Sequence, residues 1–159
     1  MAVWQYCFWL LPRQPLLRRY NVLPDQLNDS DYEEAWSQQP AIDVTCVIDQ
    51  FVSRYHSWSP ERLMWGEENG NRIHVLYEEA KVVSVSCRIC PGKPYSDFAA
   101  GVVSLAKLCD WVMVLTHQMV AEPCVESLVA AVANSNAQKF VTDPQAFMSG
   151  LANGTYHPE

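Results

Sequence analysis

Trp65-Gly66-Glu67-Glu68-Asn69-Gly70-Asn71-Arg72 decides the reading of the fold. Asn-Gly is the dipeptide that best accepts the two consecutive positive φ angles of a type I′ turn. The stretch therefore predicts a tight hairpin joining a strand near 62–68 to one over 71–79. Lys81 to Ile89 then places Val83, Val85, Cys87 and Ile89 on one side and Val82, Ser84, Ser86 and Arg88 on the other, the two-residue period of a strand. Three antiparallel strands in succession make a meander.

On the amino-terminal side, residues 3–11 set Trp4, Tyr6, Phe8 and Leu10 against Val3, Cys7, Trp9 and Leu11. Bulky side chains on both faces mean that both must be largely covered, which marks a central strand or a two-sided one. From Pro12 to Pro40 the periodicity breaks, but Ser30 ahead of Asp31-Tyr32-Glu33-Glu34-Ala35-Trp36 reads as an N-cap followed by an acidic first turn, so a short helix is expected there. Val44, Val47, Ile48, Phe51 and Tyr55 recur at three- and four-residue steps and predict an amphipathic helix over 42–55.

On the carboxyl-terminal side, a helix capped by Ser96 or Asp97 aligns Phe98, Val102, Leu105 and Cys109, and a fifth strand runs from Trp111 to His117. Pro123 opens a long helix through Val125, Leu128, Val129 and Val132 that loses its apolar stripe at Asn134-Ser135-Asn136. Asp143-Pro144 starts another helix and Asn153-Gly154 ends it. The expectation is a single α+β domain over 1–154: a mostly antiparallel sheet of about five strands with a central meander, packed by three to four helices. Residues 155–159 read as a frayed tail.

The 159 residues are 49% hydrophobic and 18% charged, with a net charge of −7. That is an ordinary globular composition, and its acidity argues against nucleic acid and anionic membrane as partners. No apolar run approaches the ~20 residues of a membrane helix, and the apolar start lacks a basic segment and a cleavage site, so the expected location is the cytoplasm. Six scattered cysteines in a chain with ample core read as free thiols.

Chemistry-bearing patterns are sparse. Cys87-Arg88-Ile89-Cys90 has zinc-knuckle or redox spacing, but no second Cys or His pair accompanies it and Pro91-Gly92 follows where a redox helix would open. His56, His74, His117 and His157 stand far apart in sequence, and the carboxylate pairs Glu67-Glu68 and Glu78-Glu79 fall at turns. Six glycines supply no phosphate-binding loop. The expectation is no catalytic set, no metal and no cofactor.

The most informative feature is a charge asymmetry: between Tyr20 and Ser53 there are seven acidic residues and no Lys or Arg, with Tyr32 and Trp36 among them. Anions that steer and aromatics that anchor suit a surface for a basic protein partner. The residues assigned to it are Asp29, Asp31, Tyr32, Glu33, Glu34 and Trp36; the bland alternative is a solvated acidic face with Trp36 in the core.

Ser135-Asn136-Ala137-Gln138-Lys139-Phe140-Val141-Thr142-Asp143-Pro144-Gln145-Ala146-Phe147, with Trp4-Gln5-Tyr6-Cys7-Phe8 at the other end, resembles small bacterial proteins found as immunity partners of polymorphic toxins. The resemblance covers the two ends of the chain. It implies a cytoplasmic inhibitor that seals a toxin domain with acidic and aromatic residues. Two other classes compete with it: a small enzyme whose site gathers dispersed residues such as His74, His117 and Cys87, and an oligomeric scaffold or adaptor, a homodimer included, with tryptophans buried between subunits.

Overall fold

The computed structural model describes residues 3–157. Among these residues the architecture is α+β, with seven α-helices and one seven-stranded antiparallel sheet. In chain order the elements are β1 (Tyr6–Pro12), α1 (Arg13–Tyr20), α2 (Asp29–Ser37), α3 (Thr45–Ile48), β2 (Arg54–Ser59), β3 (Arg62–Gly66), β4 (Arg72–Glu78) and β5 (Lys81–Ile89). They continue as α4 (Ser96–Leu108), β6 (Trp111–Val114), β7 (Val120–Ala121), α5 (Val125–Asn134), α6 (Asn136–Thr142) and α7 (Pro144–Ala152). The sheet order is β2-β3-β4-β5-β1-β6-β7.

The strand predicted over 3–11 sits at the centre, with Phe8 opposite Cys87 of β5 and Leu10 opposite Met113 of β6. Its Tyr6, Phe8 and Leu10 are fully buried with Trp65, Ile73, Val75 and Val85. Phe98, Val102 and Leu105 of α4 belong to the same core. Cys7 and Trp9, on the opposite face of β1, are only half-buried and lie beneath α2.

Several expectations are corrected. The sheet has seven strands rather than about five: the meander gains a fourth, β2, because residues 42–55 do not form one helix, and Val120–Ala121 pairs with β6 as β7. Only Thr45–Ile48 is helical; from Arg54 the backbone extends and pairs with β3, and exposure alternates along the strand. Val44 and Ile48 are buried as the helical steps required, but the aromatic-rich segment after Ser53 gains more from strand pairing than from a second helical turn.

The type I′ geometry falls at Glu79 (φ 48°) and Ala80 (φ 64°), between β4 and β5, where Glu78 pairs with Lys81. The loop after β3 is longer: Gly66 takes φ 102°, the Glu67 N–H donates to Asn71, and Gly70 carries no positive φ. What holds Gly70 is close approach, since a Cβ there would press on the Glu67 side chain.

Seven helices replace the expected three to four, partly because α1 begins directly after β1. Pro15 is harmless in its first turn, where backbone N–H groups have no helical acceptor, and Asn21 closes the helix in the left-handed conformation (φ 63°). The long helix from Pro123 is divided at Ser135, whose hydroxyl accepts from the Gln138 N–H at 3.2 Å and starts α6. Asp143 caps α7 as expected, accepting from the Ala146 N–H at 2.9 Å. The segment read as a frayed tail is docked as far as His157, with Tyr156 stacked on Phe147 at 5.4 Å and the Asn136 amide donating to the His157 carbonyl; Pro158 and Glu159 lie outside the described residues.

Candidate functional site

Beside the half-buried face of β1 lies a cleft of about 650 Å³. Its floor is Gln5, Cys7 and Trp9, alternate residues that the strand period turns to one side. One wall is α2, through Asp29 and Tyr32; the other is Phe147 and Leu151, one turn apart on α7, with Ala137 of α6. Trp9 and Tyr32 meet edge to face, centroids 6.1 Å apart at 85°.

The rim is the segment 115–118, where the expected fifth strand ends early. β6 stops at Val114, and Thr116 to Met119 make a tight turn into β7, the Met119 N–H donating to the Thr116 carbonyl at 3.4 Å. His117 (φ 56°) and Gln118 (φ 60°) are both left-handed, a conformation that costs a residue with a Cβ roughly 1–2 kcal/mol. Ties from the segment before α2 hold it there. Leu27 N–H donates to the Gln118 carbonyl at 3.0 Å, the Gln26 amide to the His117 carbonyl at 2.8 Å, and the Gln118 amide to the Asp29 carboxylate at 2.7 Å. The same pair of positive φ angles turns β4 into β5 at Glu79 and Ala80, so the geometry is that of a hairpin turn.

Burial pushes the Cys7 thiol up, only partly offset by Arg88, and burial with Asp29 and Asp31 pushes the Tyr32 hydroxyl up. Both groups are therefore protonated near neutrality. The lining is mainly aromatic and aliphatic with a few convergent polar groups, the composition of ligand-accepting clefts.

The six residues assigned to a partner surface divide. Asp29 and Tyr32 line the cleft, and Glu33 is exposed beside them. Glu34 is exposed and paired with Arg19. Asp31 is 1% exposed: it accepts from the Tyr20 hydroxyl at 2.9 Å and from the Asn28 N–H at 2.7 Å, with Arg19 3.3 Å away. Trp36 is 5% exposed and packs edge-on against Trp111. These two hold α2 in place and present no surface. The sequence reading missed Trp9, Phe147 and Leu151 as site residues, although the alternation of β1 and the four-residue step on α7 carried the signal.

The dispersed residues of the enzyme reading do not converge. β5 and β1 stand between β4, which carries His74, and β6, which precedes His117, a separation of roughly 14 Å at ordinary strand spacing. Cys87 is fully buried between Phe8 and Ile73, and burial raises its pKa strongly. The Cys90 thiol instead donates to the Gly70 carbonyl at 3.3 Å. Among the described residues no group of three or more His, Cys, Asp or Glu could hold a metal ion, and no helix is long and apolar enough to cross a membrane. No protein-family model, curated protein or solved structure matches this chain.

Proposed function

We propose that this protein is a binding inhibitor of the immunity type, acting in the cytoplasm on a protein partner with a basic surface, such as a toxin domain. The observation that carries the reading is that Asp29 and Tyr32, drawn from the acidic and aromatic stretch, form a wall of the cleft. A partner side chain that is apolar or aromatic fills the space between Trp9 and Phe147. An adjacent Lys or Arg meets Asp29 and Glu33, and the net charge of −7 raises the encounter rate with such a surface. An Arg of the partner also gains from the faces of Trp9 and Tyr32.

The test is co-expression with a candidate toxic domain, if one is encoded beside the gene, together with binding kinetics on the purified pair. Tyr32→Ala is expected to cost about 2 kcal/mol of affinity, mostly as faster dissociation. Asp29→Asn with Glu33→Gln is expected to slow association and flatten its salt dependence. A chain that neither protects cells nor forms the complex, or variants that bind as the parent does, would overturn the reading.

A further inference from the structure

A second feature lies outside the cleft, on β3, β4 and β5. The register sets Arg72 directly opposite Arg88, His74 opposite Met64 and Ser86, and Arg62 opposite Leu76. Alternation along the strands therefore turns Arg62, Arg72, His74 and Arg88 to one side of the sheet. The chain has 18 acidic residues against 11 basic ones, yet among the described residues the ion pairs go to Arg13, Arg19, Arg54 and Lys93. Arg62, Arg72 and Arg88 have none.

Instead, Arg72 Nε donates to the Glu67 carbonyl at 3.0 Å, and Arg88 donates to the carbonyls of Gly70 at 3.1 Å and Glu68 at 2.6 Å. The Arg72 guanidinium lies over the Tyr55 ring and that of Arg62 over Trp58. Carbonyl dipoles and ring faces orient the guanidiniums without cancelling their charge, and like charges directly opposed across strands are destabilising. Two buried atoms on this face have no hydrogen-bond partner, Arg72 Nη2 and His74 Nε2, and Arg72 is only 9% exposed. A buried donor without an acceptor is costly; one oxyanion placed here removes that cost and the repulsion together.

We propose that this face is an oxyanion site, in which a carboxylate or phosphate group accepts hydrogen bonds from the Arg72 and Arg88 guanidiniums and from His74, with Arg62 adding charge. The half-buried Arg88 and His74 open it to solvent. Arginine rather than lysine suits the role, because its planar fork meets two oxygens at once. His74 is suited as a neutral donor: burial first, then Arg72, Arg88 and Arg62, lower its pKa to about 4. A bound anion opposes those arginines and pulls the value back up.

The experiment titrates the whole protein with inorganic phosphate and separately with acetate, holding ionic strength constant with sodium chloride. The readouts are the imidazole nitrogen resonances of His74 and the thermal midpoint. Saturable movement of the His74 signals, a pKa raised by about one unit and a midpoint above the chloride control are expected. Preference for phosphate assigns the ligand as a phosphorylated one, and preference for acetate as a carboxylate. Arg62→Gln with Arg88→Gln spares the more buried Arg72 and is expected to weaken binding roughly tenfold or more. Signals that follow the chloride control with both anions, or unchanged affinity in the double variant, overturn the proposal.

Discussion

The Tyr20 hydroxyl donates to both carboxylate oxygens of Asp31, at 2.9 and 3.0 Å, and so fastens the end of α1 to the first turn of α2. Because α2 forms a wall of the cleft, this bond sets where Tyr32 stands. Tyr20→Phe is expected to lower stability by about 1–2 kcal/mol, and Asp31→Ala by about 3 kcal/mol because Arg19 and the Asn28 N–H lose a buried acceptor. Urea unfolding measures both. Losses below about 0.5 kcal/mol for Asp31→Ala would place its carboxylate among ordinary surface charges.

Glu79 and Ala80 occupy the positions of a type I′ turn with residues that pay for positive φ. Replacing the pair by Asn-Gly is expected to raise stability by about 1 kcal/mol or more. Asn69→Ala, in the loop that only resembles such a turn, is expected to change it by less than about 0.5 kcal/mol. Thermal denaturation of the two variants side by side decides whether the turn has been located correctly.

Gly101 of α4 faces Phe51 so closely that a Cβ would stand 2.1 Å from the ring's Cδ2. Helix propensity alone favours alanine by about 1 kcal/mol, but overpacking is expected to win and make Gly101→Ala destabilising by about 1–2 kcal/mol. Phe51 is only half-buried, so Phe51→Ala is expected near 2 kcal/mol, below the range for a fully enclosed ring. In the double variant the Gly101→Ala penalty should vanish; purely additive losses would mean that the two residues do not share this space.

His74 has a lowered pKa of about 4 against an ordinary 6.5, with burial the leading cause and the neighbouring arginines next. In this window the unfolded chain binds a proton that the folded chain refuses, so stability is full above pH 6.5 and falls as the pH drops toward 4. Because His74 is partly open to solvent, the loss is about 1–2 kcal/mol after screening. His74→Gln is expected to flatten the stability profile between pH 6.5 and 5, ahead of the carboxylates. An identical slope in the variant would assign the loss to other groups.

Elements specified by local chemistry were readable in the sequence. Asp143 beside Pro144 fixes both the cap and the first φ of α7, and bulky side chains on both faces of β1 marked a strand from the interior of the sheet. β2 was hidden because Val44 and Ile48 keep a helical step into a segment whose conformation is set by β3, a partner that the step pattern does not mention. The cleft was half legible for a related reason. Acidic and aromatic composition found Asp29 and Tyr32, but the same signal marked Asp31 and Trp36, and only packing decides which of these turn inward. Trp9, Phe147 and the left-handed pair at 117–118 meet through tertiary contacts between distant segments.

The place of β1 in the sheet also bears on how the chain is made. β1 leaves the ribosome before either neighbour exists: β5 begins at Lys81 and β6 at Trp111, so its second edge waits through roughly 100 residues of synthesis, about 5–20 s at ordinary elongation rates. During that interval the β2–β5 meander can close through short-range pairings, while Tyr6-Cys7-Phe8-Trp9-Leu10-Leu11 remains an uncovered aromatic strand of the kind that nascent-chain chaperones hold and that aggregates when they are scarce. Among the described elements the strand synthesised first is thus paired on both edges only late in synthesis.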